Sequence, residues 1–366
     1  MIHVFISIIL GVTTLIVVII HQLAAAPTTF YPDFAAFWDT TVLALKHPEL
    51  AFGPATRTPA GPFGYPPTAF VAFTPFAFLP FPLAYLIWVL GSLSLYVYFA
   101  TYLFNRFKTL GVALLILAPP VWTVILAGST TLPMGALVLG ALLLMPDRKL
   151  LAGFMFGIAA AIKPQTIVMV PVALLAIREW RVIASATATA IAISIIATIM
   201  FGLHIWFDWL GRLPEVLDYG SKNLNQISLW PESFRQSLTF RSFAILLLLG
   251  LLGCSIVWTT FLATNRPEHR LVAVVGGAWL ISPYVNVYEL EMIAPAVIAF
   301  VLEEIGSRNS MIERWRSYIG AFAVFTTPIA IVSVPVFLIL NTLVILRQRS
   351  ARKNVDIDKL GTPVIS

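Results

Sequence analysis

A few ionisable side chains stand in apolar surroundings in this sequence, and their types can transfer protons or bind anions. Asp33 follows Pro32 at the start of a periodic apolar segment. A carboxylate at this position can cap the free N–H groups of a helix, which stabilises by about 1 kcal/mol. It can also accept a proton as a general base. Position alone favours the cap, and Asp39, two turns farther on, is expected to face water.

Lys163 is the second candidate, because it interrupts a long apolar region between residues 150–162 and 164–178. A cation in such a setting is costly unless it meets an anion or reaches water. The side chain can extend its ammonium to the membrane interface. Alternatively, Lys163 contacts a lipid phosphate at the tip of a helical hairpin, and spacing leaves both possibilities open.

Two further segments carry polar groups. Tyr65 precedes Pro66 and Pro67, a pattern typical of a helix start. The segment ISPYVNVYELEM brings together Asn286, Tyr288, Glu289 and Glu291. Most polar turns between apolar segments are simply solvated, and the pattern by itself favours that interpretation here.

Several patterns that indicate cofactors or metals are absent from the sequence. There is no GxxxxGKS/T loop, no GxGxxG after a strand, no HExxH and no Cys/His cluster. The five histidines are scattered, so neither a tightly bound transition metal nor a cofactor is predicted. The single cysteine, Cys254, has no partner for a disulfide within the chain.

The composition decides which elements must position these residues. Of 366 residues, 59% are hydrophobic and only 11% are charged, with a mean hydropathy of +0.91. Soluble domains carry roughly 25% charged residues. Segments of about 20 apolar residues cross a bilayer as helices. The sequence therefore predicts an all-α polytopic membrane protein with about 12 transmembrane helices, several of them short, tilted or broken, at residues 2–25, 80–104, 109–120, 131–146, 150–162, 164–178, 182–203, 241–263, 270–282, 284–302, 316–327 and 329–346.

The distribution of Lys and Arg predicts the orientation. Sixteen of the 23 basic residues fall on one side if alternate loops are cytosolic. Both termini are then cytosolic, in the plasma or inner membrane of the cell. The excess positive charge suits an anionic inner leaflet, so binding to membrane lipid rather than nucleic acid is expected.

One polytopic domain is predicted over residues 1–346, with outer loops at 26–66 and 204–240 and a cytosolic basic tail at 347–366. In the first loop, the apolar residues following Asp33 recur with helical spacing and predict a short amphipathic helix lying in the membrane interface: Phe34, Phe37, Trp38, Val42 and Leu45. The segment 67–79 contains Pro75, is too short to span alone, and is expected at the outer interface.

The order of these segments is more specific than any one of them. YPDF, FGYPPTAFVAFTPFAFLP, AGFMFGIAAAIKPQ, REWR and ISPYVN follow one another between residues 30 and 300. This set resembles the membrane transferases of glycosyltransferase family 87, of the GT-C superfamily. The resemblance implies a GT-C type fold with an amphipathic first outer loop.

The resemblance also implies a reaction. Such enzymes transfer a hexose, mannose in the best-known members, from a polyprenyl-phosphate sugar donor to a lipid or cell-envelope glycan acceptor, with inversion and without a metal. Asp33 then corresponds to the general base and Lys163 to a contact with the donor phosphate. Tyr65, Asn286 and Glu289 are expected to line the pocket. Two segments depart from the family pattern, residues 128–131 (GSTT) and residues 284–289 (YVNVYE).

Two other classes of protein fit the composition. One is a polytopic transporter or a flippase for lipid-linked sugars, and the other is a non-catalytic envelope assembly protein. Transporters tend to show two related halves with polar groups near the midplane. Here the two halves do not match, and the ionisable groups are predicted at the outer rim, which favours the transferase.

Overall fold

The computed structural model describes residues 32–53, 57–58, 61–221, 240–282, 285–305, 310–325 and 336–350. The predicted first span at 2–25 and residues 351–366 of the predicted tail lie outside these ranges. Within them the chain is helical apart from short connections and one two-residue antiparallel ladder, β1 (Arg57–Thr58) with β2 (Gly61–Pro62).

The helices follow one another with short connections. In the first half they are α1 (Pro32–Lys46), α2 (Pro67–Ala77), α3 (Phe81–Ala100), α4 (Lys108–Leu117), α5 (Pro119–Ala127), α6 (Thr131–Leu144) and α7 (Lys149–Ile162). The later helices are α8 (Val170–Ala176), α9 (Trp180–Phe201), α10 (His204–Ser221), α11 (Phe240–Ala263), α12 (Pro267–Ile281), α13 (Ala294–Glu304), α14 (Met311–Phe325) and α15 (336–350). Short 3-10 helices lie at Pro48–Leu50, Asn105–Phe107, Pro164–Ile167 and Val287–Ile293.

Three helices in the described part are long and apolar enough to cross a membrane: α3, α9 and residues Phe243–Ala263 of α11. A fourth crossing is possible through α4 and α5, which meet at an angle of 58°. The bend falls before Pro119 and Pro120, because proline cannot continue the hydrogen bonding of α4. The predicted span at 109–120 is therefore divided, as expected for the short segments. The molecule is a helical integral membrane protein, and the total of twelve crossings stays a prediction.

Beneath α1 lies a cluster of buried aromatic side chains. Phe37 stacks on Phe73 of α2 with ring centroids 4.4 Å apart, and Phe34 packs against Phe81 and Tyr85 of α3. The prediction that the apolar face of α1 lies in the membrane interface is wrong for these two residues, which are fully buried in protein. Asp39, on the opposite face, is exposed as expected.

Helix α7, which ends just before Lys163, packs unusually close to α9. A Cβ atom placed on Gly157 would lie 2.5 Å from Cβ of Thr189 and 2.6 Å from the carbonyl oxygen of Ala186. Gly153, one turn earlier, faces Ser185 in the same way. Small residues four apart allow membrane helices to pack backbone to backbone. The sequence AGFMFGIAAAIKP therefore positions α7 through its glycines.

We expect Gly157→Ala to lower the thermal stability of the purified protein. The added methyl group overlaps α9, and overpacking of this kind costs about 1–3 kcal/mol. Gly91→Ala in α3 is the matched control, since no atom lies within 4 Å of its added Cβ. Alanine favours a helix over glycine by about 1 kcal/mol, so the control should be neutral or stabilising. Equal melting temperatures for the two variants would contradict the close packing.

Candidate functional site

The start of α1 is fixed by the end of α5. Gly128 ends α5 in the left-handed conformation, with φ of +65°. A Cβ there would lie 2.5 Å from Cβ of Phe34, so glycine lets α1 approach closely. The carbonyl oxygen of Gly128 accepts a hydrogen bond from Nε1 of Trp88 at 3.1 Å, and that of Ile125 accepts one from the Tyr85 hydroxyl at 2.6 Å. Two side chains of α3 thereby satisfy helix-end carbonyls and place the first turn of α1.

Asp33 lies in that first turn, in a helix outside the predicted spans, and its side chain is partly exposed. The Tyr288 hydroxyl donates to its Oδ2 at 3.4 Å, and Nδ2 of Asn286 donates to the Tyr288 oxygen at 2.9 Å. Burial of the carboxyl raises the pKa of Asp33, while the hydroxyls of Ser129 and Tyr288 and the positive charge of Lys163 act in the opposite direction. The neighbouring side chains therefore influence the proton affinity of this carboxylate.

Lys163 follows the last residue of α7 and directly precedes the 3-10 helix that begins at Pro164. Its Nζ lies 3.0 Å from Oε1 of Glu289, and each side chain is only 4% exposed. The interpretation that Lys163 extends to the membrane interface is therefore wrong, because a buried carboxylate satisfies its ammonium inside the protein. The interpretation of residues 286–291 as a solvated turn is also wrong, because Glu289 and Glu291 are buried.

Tyr65 completes the group of predicted site residues. Its hydroxyl lies 2.9 Å from Oγ1 of Thr130, and its ring packs edge-on against Phe37. Asn286 links the remaining members, because its backbone N–H points to Oε1 of Glu289 at 3.4 Å. A continuous set of contacts thus runs from Asp33 through Tyr288 and Asn286 to the ion pair.

Sequence reasoning did not assign a role to Tyr288 or to the hydroxyls of residues 128–131, although both lie in the segments that depart from the family pattern. The contact of Tyr288 with Asp33 joins residues 255 positions apart, which spacing cannot predict. Sequence reasoning did not assign Glu291, in the same segment as Tyr288, to the site either. It is fully buried beside Gly135, and neither carboxylate oxygen has a hydrogen-bond partner among the described residues.

The fold and the site define a helical membrane protein with an acid, a buried cation and aromatic hydroxyls gathered at one end of its bundle. A profile of Glycosyltransferase family 87 matches residues 63–283, more than half of the chain. The chain belongs to glycosyltransferase family 87, and the protein is a glycosyltransferase. Neither the curated proteins nor the solved structures give a significant match to it.

The family match contains two of the predicted site residues, Tyr65 and Lys163. Asp33 lies before it, and Asn286 and Glu289 lie after it. Their assignment to the site therefore depends on their contacts in the structure. The roles of all five remain predictions.

We expect Lys163→Met to destabilise the protein by about 3–5 kcal/mol, because it leaves a buried carboxylate uncompensated. The double variant Lys163→Met/Glu289→Gln removes both charges and should recover most of that loss. Lys149→Met is the matched control. Its ion pair with Glu179, at 2.8 Å, involves a lysine side chain that is 39% exposed, so the expected effect is below about 1 kcal/mol. Thermal unfolding in detergent measures all three, and a double variant no more stable than Lys163→Met would contradict the assignment.

Proposed function

We propose that this glycosyltransferase moves a hexose, in the first instance mannose, from a polyprenyl-phosphate donor to a hydroxyl of a lipid or cell-envelope glycan. The reaction takes place at the outer face of the plasma or inner membrane and inverts the anomeric configuration. The observation that carries the proposal is that Asp33, a partly exposed residue, places a carboxylate beside the buried cation Lys163 at one end of an apolar bundle.

Asp33 acts as the general base in this proposal. It accepts the proton of the acceptor hydroxyl while the acceptor oxygen forms a bond to the anomeric carbon. The bond between that carbon and the phosphate oxygen breaks, and the polyprenyl phosphate leaves with the electron pair. The sugar passes through an oxocarbenium-like state, so the base needs position more than strong basicity.

Lys163 supplies the positive charge on the donor side of the reaction. An ammonium close to a leaving phosphate stabilises the charge that develops there. Glu289 holds this ammonium in place, and its own burial makes the arrangement rigid. In this proposal the donor phosphate approaches past the partly exposed residues of the site: Asp33, Tyr65, Asn286 and Tyr288.

The proposed topology keeps twelve crossings with both termini cytosolic. It is supported by contacts between residues that the charge distribution assigns to the same side. Lys149 pairs with Glu179, and Arg106 lines one cavity together with Arg266 and Arg316. Asp33 and Lys163, both assigned to the outer side, lie close together at the site.

Asp33→Asn tests the assignment of the base. The amide keeps the shape of the side chain but cannot accept the proton, so we expect transfer to fall by at least about 10²-fold with unchanged thermal stability. Asp39→Asn, on the exposed face of the same helix, is the control and should retain activity.

The assay follows radiolabelled sugar from polyprenyl-phosphate mannose into the lipid and glycan fractions of membranes that contain each variant. Unchanged transfer by Asp33→Asn would overturn the role of Asp33. Transfer from a sugar nucleotide, with no transfer from the polyprenyl phosphate, would overturn the donor class.

Activity should also depend on pH in a defined direction. The base works only when it is ionised, and burial raises the pKa of Asp33. As the pH is lowered, kcat/KM should therefore begin to fall at a higher pH than it would for an exposed aspartate. Tyr288→Phe removes a hydroxyl that favours the charged form, which raises the pKa of Asp33 further. The acidic limb of the profile should therefore move to higher pH in Tyr288→Phe. A limb that moves to lower pH, or does not move, would contradict the contact.

A further inference from the structure

A second polar site lies at the opposite end of the bundle. α3 begins beside Phe34, the neighbour of Asp33, and its 20 residues extend about 30 Å. Beyond its last turn, Leu103, Phe104 and the 3-10 helix Asn105–Phe107 border a cavity of about 470 Å³. The starts of α12 and α14 and the ends of α13 and α15 close its other sides. The proposed chemistry at Asp33 does not use this cavity.

Arg316 is the unusual residue of the cavity. It is only 2% exposed, and its guanidinium lies 3.8 Å above the ring of Phe300. Its Nε and Nη1 atoms have no hydrogen-bond acceptor in the part of the chain that the structure describes. Leaving two donor atoms of a buried guanidinium unpaired is costly, because the protein does not replace the hydration of those atoms. The geometry points to an anion that completes this site.

The carboxylates around the cavity already have donors. Glu303 and Glu268 both form ion pairs with Arg266, whose guanidinium bridges them. Glu313 accepts hydrogen bonds from Ser310 and from Nε2 of Gln348. Arg316, by contrast, has no carboxylate within ion-pair distance among the described residues.

A second arginine borders the same cavity. Arg106, on the 3-10 helix after α3, is exposed, and its guanidinium lies over the ring of Phe107. Its charge adds to that of Arg316 at the cavity. Leu103, Phe104 and Leu302 make the remaining wall apolar.

Arginines beside an apolar wall match the chemistry of a phosphate that carries a hydrocarbon chain. Guanidinium groups bind phosphate oxygens through charge-assisted hydrogen bonds. Basic pockets between membrane helices on the cytosolic side bind anionic headgroups. We propose that the cavity binds a phosphate group, with Arg316 and Arg106 as its donors, either on a lipid headgroup or as free phosphate. The site is separate from the donor site, so it stands whether or not Asp33 is the base.

Binding to the delipidated, full-length protein in detergent tests the proposal. The probes are short-chain phosphatidic acid, the matching diacylglycerol and inorganic phosphate, and the variants are Arg316→Gln and Arg106→Gln. Arg349→Gln, an exposed arginine of α15 outside the cavity, is the matched control. We expect about tenfold weaker binding of phosphatidic acid by the first two variants and no change in the control.

The probes also identify the source of the phosphate. Saturable binding of phosphatidic acid without binding of diacylglycerol or inorganic phosphate supports a lipid headgroup. Binding of inorganic phosphate that Arg106→Gln weakens supports a soluble phosphate. Equal binding of every probe by wild type and Arg106→Gln would overturn the proposal. Arg106 is exposed, so this variant decides the question even if Arg316→Gln does not fold.

Discussion

A buried ammonium in an apolar bundle needs an anion, and this requirement organises the site. Lys163 meets it through Glu289, 126 residues later in the chain. The ion pair joins the end of α7 to the 3-10 helix between α12 and α13. The same short helix presents Tyr288 to Asp33, so the electrostatic contact also orients the proposed base. Removing either charge would leave the other buried without a partner.

The supporting structure brings backbones close where the site needs rigidity. Gly128 lets α1 approach α5, and Gly153 and Gly157 let α7 approach α9. Asp33 and Lys163 thus each stand at the end of a helix that a glycine contact holds in place. Aromatic side chains from α3 satisfy the carbonyl groups that the end of α5 leaves open. A site built on such elements can place a base and a cation with little freedom of movement.

Much of this arrangement could be predicted from the sequence. The scarcity of charge predicted a helical membrane protein, and the order of the short segments predicted the family that the profile match confirms. The exposed position of Asp39 was predicted from helical spacing. Local pattern could not predict contacts between distant segments, such as Lys163 with Glu289. It placed the aromatic face of α1 in the interface because an amphipathic pattern does not reveal whether protein or lipid covers it.

Ionisable groups gather at both ends of the bundle, and we propose a different role for each group. At one end a carboxylate and a cation are proposed to act on a lipid-borne sugar, and at the other arginines face a cavity suited to phosphate. Electron cryomicroscopy of the protein with a non-hydrolysable prenyl phosphonate analogue of the sugar donor tests the central claim most directly. The proposal predicts the phosphonate beside Lys163 and the anomeric carbon facing the Asp33 carboxylate across a space for the acceptor hydroxyl. An analogue bound away from both residues, for example in the cavity beside Arg316, would contradict it.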